Sequence, residues 1–248
     1  MIPRRSEDAH IDDLFGGVVD AGGVLLAAEF PRCYIDPNRT LADIDPAMLV
    51  EPGRSRSHPR AKPRGAGLIW RQVKRYGRIY DRPLAVGGQA RIEQCWRPYH
   101  EAIARLIDDT HRRHGLVLHL NCHSMASMGD ETTEDGCVAR PEFVLGDRDG
   151  TSCAPWFTDT VREVLEAAGY QVAINNPYKG QELVVRYSDP AAGRHSLQIE
   201  INRALYMNED TLPHLGYRRR QATWLTDRLV ALQRTIRLDI MVASRLPR

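Results

Sequence analysis

The chain has 248 residues, 42% hydrophobic and 27% charged, proportions of a soluble globular protein that exclude disordered, collagen-like and coiled-coil chains. Its 34 basic and 32 acidic side chains leave a net charge of +2, too weak a field for a dedicated nucleic-acid binder. Five cysteines without any Cys-x-x-Cys pair, and no apolar run of the ~20 residues a membrane span needs, predict a reduced, cytoplasmic protein with no disulfide framework and no membrane partner.

Near the start, Asp8 and Asp12 stand four apart with His10 between them, on one face if the stretch is helical. An acidic first turn is also what a helix dipole favours. Residues 23–30 read as a buried strand, continued by an extended piece and closed by the turn Asp36-Pro37-Asn38-Arg39. That turn sets an amide beside a guanidinium, a fork able to grip a carboxylate. Residues 51–67 mix Pro52, Pro59 and Pro63 with glycines and arginines, which predicts a surface loop. Its arginines, from Arg54 to Arg64, have no interleaved aromatic for base stacking, so a solvated loop is favoured over a polyanion site. Residues 89–114 place Ile92, Trp96, Tyr99, Ile103, Leu106 and Thr110 at helical spacing, predicting a long amphipathic helix stopped by Gly115. Strands are expected over 116–121, 170–175 and 196–201, and further helices over 155–168 and 218–240. Helices alternating with strands imply an α/β fold with a mostly parallel sheet covered on both faces, in a single domain spanning residues 1–248.

In such sheets, ligands bind beyond the carboxyl ends of the strands. Three polar clusters fall there. Asn121-Cys122-His123-Ser124 follows the first central strand, where alternation puts His119, Asn121 and His123 on one face and Leu118, Leu120 and Cys122 on the other. Cys122 and His123 therefore point apart, which disfavours a nucleophile pair between neighbours. His123 alone reads either as a functional group or as a histidine satisfied at a strand end. Residues 196–203 alternate Leu197, Ile199 and Ile201 with Gln198, Glu200 and Asn202. A carboxylate inside that run needs either an ion-pair partner, such as Arg203 or Arg186, or a chemical task. Asn175-Asn176-Pro177-Tyr178-Lys179-Gly180 suits a substrate-contacting loop and is equally ordinary loop composition.

Taken in order, these clusters resemble the N-formylglutamate amidohydrolase family. The likeness runs from about Glu7 to Met207 and rests on Ser6-Glu7-Asp8-Ala9-His10-Ile11-Asp12, Asp36-Pro37-Asn38-Arg39, Cys122-His123-Ser124-Met125, residues 143–148, residues 176–180 and Gln198-Ile199-Glu200-Ile201-Asn202-Arg203 with Leu205-Tyr206-Met207. It implies a three-layer α/β/α fold like that of zinc carboxypeptidases and aspartoacylases, and zinc-assisted hydrolysis of an N-acyl amino acid such as N-formylglutamate. Within it, His123 matches a metal ligand, with Asp8 or Asp12 as a carboxylate ligand, and Glu200 the residue that activates water. Asn38 and Arg39 match the clamp for a substrate carboxylate or oxyanion, Arg39 also acting in catalysis, and Tyr178, Lys179, Asn202 and Arg203 the rest of the substrate contacts. The family usually begins with a strand ending in Pro-His-Ser-Gly, whose histidine is another ligand, and this chain starts after it; Gln181 replaces a usual glycine. A metal-free homologue that binds a small carboxylate is the competing expectation.

Overall fold

A computed structural model describes residues 7–44, 66–73, 77–82, 84, 88–131, 133, 135–211 and 240–243. The architecture follows from two nine-residue strands, β4 (Val117–Met125) and β7 (Arg194–Asn202), which pair in parallel over their whole length. Every residue of β4 is buried, as expected for a strand covered on both faces. Around this pair, β1 (Val24–Leu26), β5 (Phe143–Gly146), β6 (Val172–Ile174) and β8 (Ile240–Ala243) complete a six-stranded sheet of order β1-β8-β4-β7-β5-β6. A separate antiparallel pair joins β2 (Gln72–Val73) to β3 (Gly77–Arg78).

The large sheet is mixed: it departs from the expectation of a mostly parallel one at a single pairing, β5 with β7, which leaves β5 and β6 running opposite to the other four strands. The first four strands in that order run parallel; β5 runs antiparallel to β7, and β6 follows β5 in parallel. The reversal has a simple cause: the connection from Met125 to Phe143 returns at the end of the sheet where β4 finished, and β7 lies between the two.

Helices pack on both faces. On one, α1 (Ile11–Phe15) and α4 (Pro155–Ala167) bury Ile11, Phe15, Phe157, Val161 and Leu165 against Leu118, Leu120, Cys122, Leu197 and Ile199. On the other, α3 (Arg97–His114) brings Tyr99, Ile103 and Ile107 to Val117 and to Leu183 of α5 (Glu182–Tyr187). Cys122 and His123 thus do point apart, Cys122 into the apolar core. All five cysteines are free thiols. Among the described residues, no helix is long and apolar enough to cross a membrane.

Several boundaries differ from the sequence reading. The strand expected over 23–30 is only three residues long. The helix expected over 89–114 is α2 (Gln89–Arg91), one π turn (Ile92–Trp96) and then α3. Pro98 has no N–H to give to the preceding turn, and the widened turn lies just before it. Gly115 ends α3 in the left-handed conformation, φ 69°. Asp8 precedes α1, so Asp8 and Asp12 are not stacked on one helix face. Most of the helix expected over 218–240 lies outside the described residues, as does the arginine loop from Arg54 to Arg64; Ile240 itself opens β8.

One buried group on α3 gives the fold a pH dependence. His100 stacks on Trp96 at 3.8 Å, donates from Nε2 to the Pro37 carbonyl at 2.9 Å and meets the Tyr187 hydroxyl at 2.7 Å. Burial lowers its pKa from 6.5 to about 4. Between those values the unfolded chain takes a proton that the folded one refuses, so stability is full above pH 6.5 and falls as the pH drops toward 4. From pH 7 to 5 we expect a loss of about 2 kcal/mol from this residue. Urea unfolding at both pH values checks it: a His100→Gln variant with an equally steep loss contradicts the assignment.

Candidate active site

In the β4–β7 register His119 faces Ser196, Asn121 faces Gln198, and His123 faces Glu200. Three polar pairs are thereby lined up inside the molecule, on the α3 face of the sheet. All six residues are buried. His119 Nδ1 meets Ser196 Oγ at 2.7 Å, and Asn121 Nδ2 donates to Gln198 Oε1 at 3.4 Å. The last pair, His123 and Glu200, sits nearest the carboxyl ends of the strands, where the sequence reading places the site.

The chain entering α1 brings Asp8 to that end. Its Oδ2 accepts from His123 Nδ1 at 2.9 Å and from Arg32 Nη1 at 2.7 Å; its Oδ1 accepts from the backbone N–H and hydroxyl of Ser124 at 2.8 and 3.1 Å. Burial alone raises the Asp8 carboxyl, but the Arg32 guanidinium, then His123 and Arg203, outweigh it and hold the acid well below the usual carboxylate range. Arg32 also pairs with buried Asp36 at 3.2 Å, and Asp36 accepts the Asn38 backbone N–H at 2.9 Å. The Asp36-Pro37-Asn38-Arg39 turn is fixed in this way beneath the site.

Asn38 is oriented without ambiguity. The Leu183 N–H donates to its Oδ1 at 3.0 Å, so its Nδ2 is the group facing His123 Nε2 at 3.0 Å. His123 therefore accepts at Nε2 and carries its hydrogen on Nδ1, toward Asp8. Glu200 accepts from Gln198 Nε2 at 3.0 Å. Neither Arg203 nor Arg186 forms an ion pair with it: Arg186 pairs with Glu182, while Arg203 donates to Ser124 Oγ at 3.0 Å and to the Glu7 carbonyl at 2.8 Å. Burial, aided by the Asp8 charge, pushes the Glu200 carboxyl up to about 7 against the pull of His123, Arg32 and Arg203. A carboxyl group poised near neutrality is suited to proton transfer.

The remaining predicted residues divide by environment. Tyr178 lies close enough to Glu200 that burial and this carboxyl push its phenol up to about 12. Its ring is covered by Arg140 at 5.3 Å, itself held by Asp135 at 2.7 and 3.0 Å. The loop carrying Tyr178 is pinned by Gly146, where a Cβ would stand 2.7 Å from the Lys179 carbonyl carbon and 2.8 Å from the Gly180 nitrogen. Lys179 turns outward to Asp149 at 2.8 Å. Asn202 donates to the Arg140 and Pro141 carbonyls and accepts the Ala204 N–H, so its amide holds the chain beyond β7. Arg39 is held by the Ala66 and Asn38 carbonyls through Nε and Nη1. Asp12 lies with Asp13 in the first turn of α1, where negative charge complements the helix dipole.

Sequence reasoning missed Arg32 and Arg140, and gave no separate role to Asp36 or Gln198, which it placed only within motifs. The signal at Gln198 is its place on the polar face of the strand, two residues before Glu200. Arg32 lies four residues before Asp36 in irregular chain, with no periodicity to mark it.

Among the described residues no three His, Cys, Asp or Glu side chains come together in a way that could hold a metal ion. Asp8 and His123 supply two donors, with the Arg32 Nη1 lying 2.7 and 3.4 Å from them. A catalytic zinc takes three protein ligands.

A carboxyl raised toward neutrality and a histidine held by a carboxylate, together at the end of an α/β sheet, are suited to acid–base chemistry. The profile of the N-formylglutamate amidohydrolase family matches residues 2–207, and the chain belongs to this family. The N-formylglutamate deformylase of Pseudomonas putida is 32% identical over 206 residues, covering 82% of this chain and 71% of that protein. The N-formylglutamate deformylase of Pseudomonas aeruginosa is 29% identical over the same length and coverage. The crystal structure of an N-formylglutamate amidohydrolase from Ralstonia eutropha JMP134 superposes with a TM-score of 0.85 at 43% identity, over 94% of this chain and 85% of that one. Gene product Atu2144 of Agrobacterium tumefaciens shares the fold, with a TM-score of 0.52 at 19% identity over 84% and 69% of the two chains.

Proposed function

We propose that the protein hydrolyses the amide bond of an N-formyl amino acid, N-formylglutamate being the substrate best supported, to give formate and the free amino acid. The observation that carries the reading is Glu200: a buried carboxyl raised to about 7, facing His123 in a family of amidohydrolases. Near neutral pH its ionised form accepts a proton from the attacking water, and the acid so formed returns it to the departing amine. His123 is kept in one tautomer by Asp8 and Asn38, and Arg203 and Arg39 each have a guanidinium nitrogen outside the bonds described above. Those two forks are the candidates for the substrate carboxylate and for the carbonyl oxygen as charge develops on it.

Zinc remains part of the proposal only as far as the donors reach. A bound zinc would take Asp8 and His123, lower the pKa of its water and draw its third protein ligand from outside the described residues. The steps above do not pass through it. The second reading, a metal-free homologue that binds a small carboxylate without turnover, is favoured by the Arg32 cation already standing against Asp8 and His123. Elemental analysis together with a formate assay on N-formyl-L-glutamate separates the two. Turnover with stoichiometric zinc supports the hydrolase with its metal; turnover without metal supports the hydrolase alone; binding of glutamate with no formate released overturns the hydrolase.

A further inference from the structure

We propose that Gln198 is the positioning residue for the Glu200 carboxylate, and that Asn38 ties the same amide to His123 and to the start of α5. The argument begins at one backbone group. Because the Leu183 N–H donates to Asn38 Oδ1, Asn38 Nδ2 must face both His123 Nε2, at 3.0 Å, and Gln198 Oε1, at 3.5 Å. Asn121 Nδ2 approaches the same Gln198 oxygen at 3.4 Å. With its oxygen facing two amide donors, Gln198 can present only its NH2 group to Glu200, at 3.0 Å. The direction of every hydrogen bond from α5 to Glu200 is thus set, and no member is exposed by more than 7%. A glutamine at this position does what an aliphatic residue could not: it holds one carboxylate oxygen by a donor inside a low-dielectric site, leaving the second oxygen for the reaction.

Asn38 acquires a role different from the substrate clamp implied by the family likeness. Its amide is engaged on three sides inside the protein, so it relates the loop that carries Tyr178, which leads into α5, to the two reacting-end residues His123 and Glu200. A shift of the α5 N-terminus would move all of them together.

This inference rests on Glu200 being the base, and the test keeps the two apart. Gln198→Met preserves length and volume and removes the donor; Gln198→Asn keeps an amide that no longer reaches Glu200. Each should lower kcat on N-formylglutamate by about 10- to 100-fold, the scale of a small misplacement of a reacting group, with KM changed less than about threefold and the thermal unfolding cooperative. In a Glu200→Asp background, whose carboxylate is already withdrawn from the amide, Gln198→Met should cost less than about twofold, because the two changes remove the same contact. An equal loss in both backgrounds overturns the proposal, as does a loss confined to KM. If the wild-type protein releases no formate, the hydrolase reading fails by itself. The crystal structure of Gln198→Met then decides: a rotated Glu200 carboxylate supports the positioning role, and an unmoved one overturns it.

Discussion

Replacing Glu200 with Gln should reduce turnover by about 10²- to 10⁴-fold, the usual contribution of a positioned general base, while leaving the fold intact. The change removes an acid and keeps the shape. The Gln198 amide still finds an oxygen on the new side chain. A neutral amide costs less to bury than a carboxylate, so above pH 7, where the native acid would be ionised, the variant should be at least as stable as the wild type. Rates on N-formylglutamate and thermal unfolding at pH 8 give both answers from one preparation. Wild-type turnover removes Glu200 from the mechanism, and a sharp drop in melting temperature makes it a structural group.

The second large effect is expected at Asp8. Its carboxylate, 5% exposed, faces Arg32, His123 Nδ1–H, the Ser124 N–H and the Ser124 hydroxyl at once. Asp8→Ala leaves these donors facing a void, and losing one partner of a buried ion pair costs about 3 to 5 kcal/mol. In a chain of this size that is a fall of about 10 °C in melting temperature. Activity should be lost as well, because the His123 ring loses the acceptor that fixes its orientation. Removing Arg32 in the same molecule should cost further stability, since Arg32 is also the counter-charge of buried Asp36 at 3.2 Å. An Asp8→Ala protein that melts like the wild type contradicts this picture of the site.

What the sequence disclosed and what it concealed have physical reasons. The alternation of Leu118, Leu120 and Cys122 with His119, Asn121 and His123, and of Leu197, Ile199 and Ile201 with Gln198 and Glu200, is a period-2 signal, and the two strands lie where it puts them. The amphipathic stripe from Ile92 to Thr110 is buried much as its spacing requires, with Leu106 half-buried against the core and Ile107 buried beside it. Strand β5 is only four residues long and all apolar, too short for any period to show, so the antiparallel step in the sheet was hidden. Ile240 closes the helix expected over 218–240, and only its pairing beside β4 makes it the beginning of a strand. At the site, Asp8, His123, Asn38 and Glu200, which the motifs single out, lie side by side. They could not show that the Asn38 and Asn202 amides are engaged by backbone groups, that Lys179 turns away to Asp149, or that Arg32 stands between Asp36 and Asp8. Those facts depend on contacts between segments far apart in the chain, and no local pattern encodes them.

The most direct test of the proposed hydrolysis is to incubate the purified protein with N-formyl-L-glutamate in water enriched in oxygen-18 and weigh the products by mass spectrometry. Attack of water on the formyl carbon predicts glutamate without label and an equal amount of formate carrying one heavy oxygen. Intact substrate after prolonged incubation, or label appearing in the glutamate instead, would contradict it.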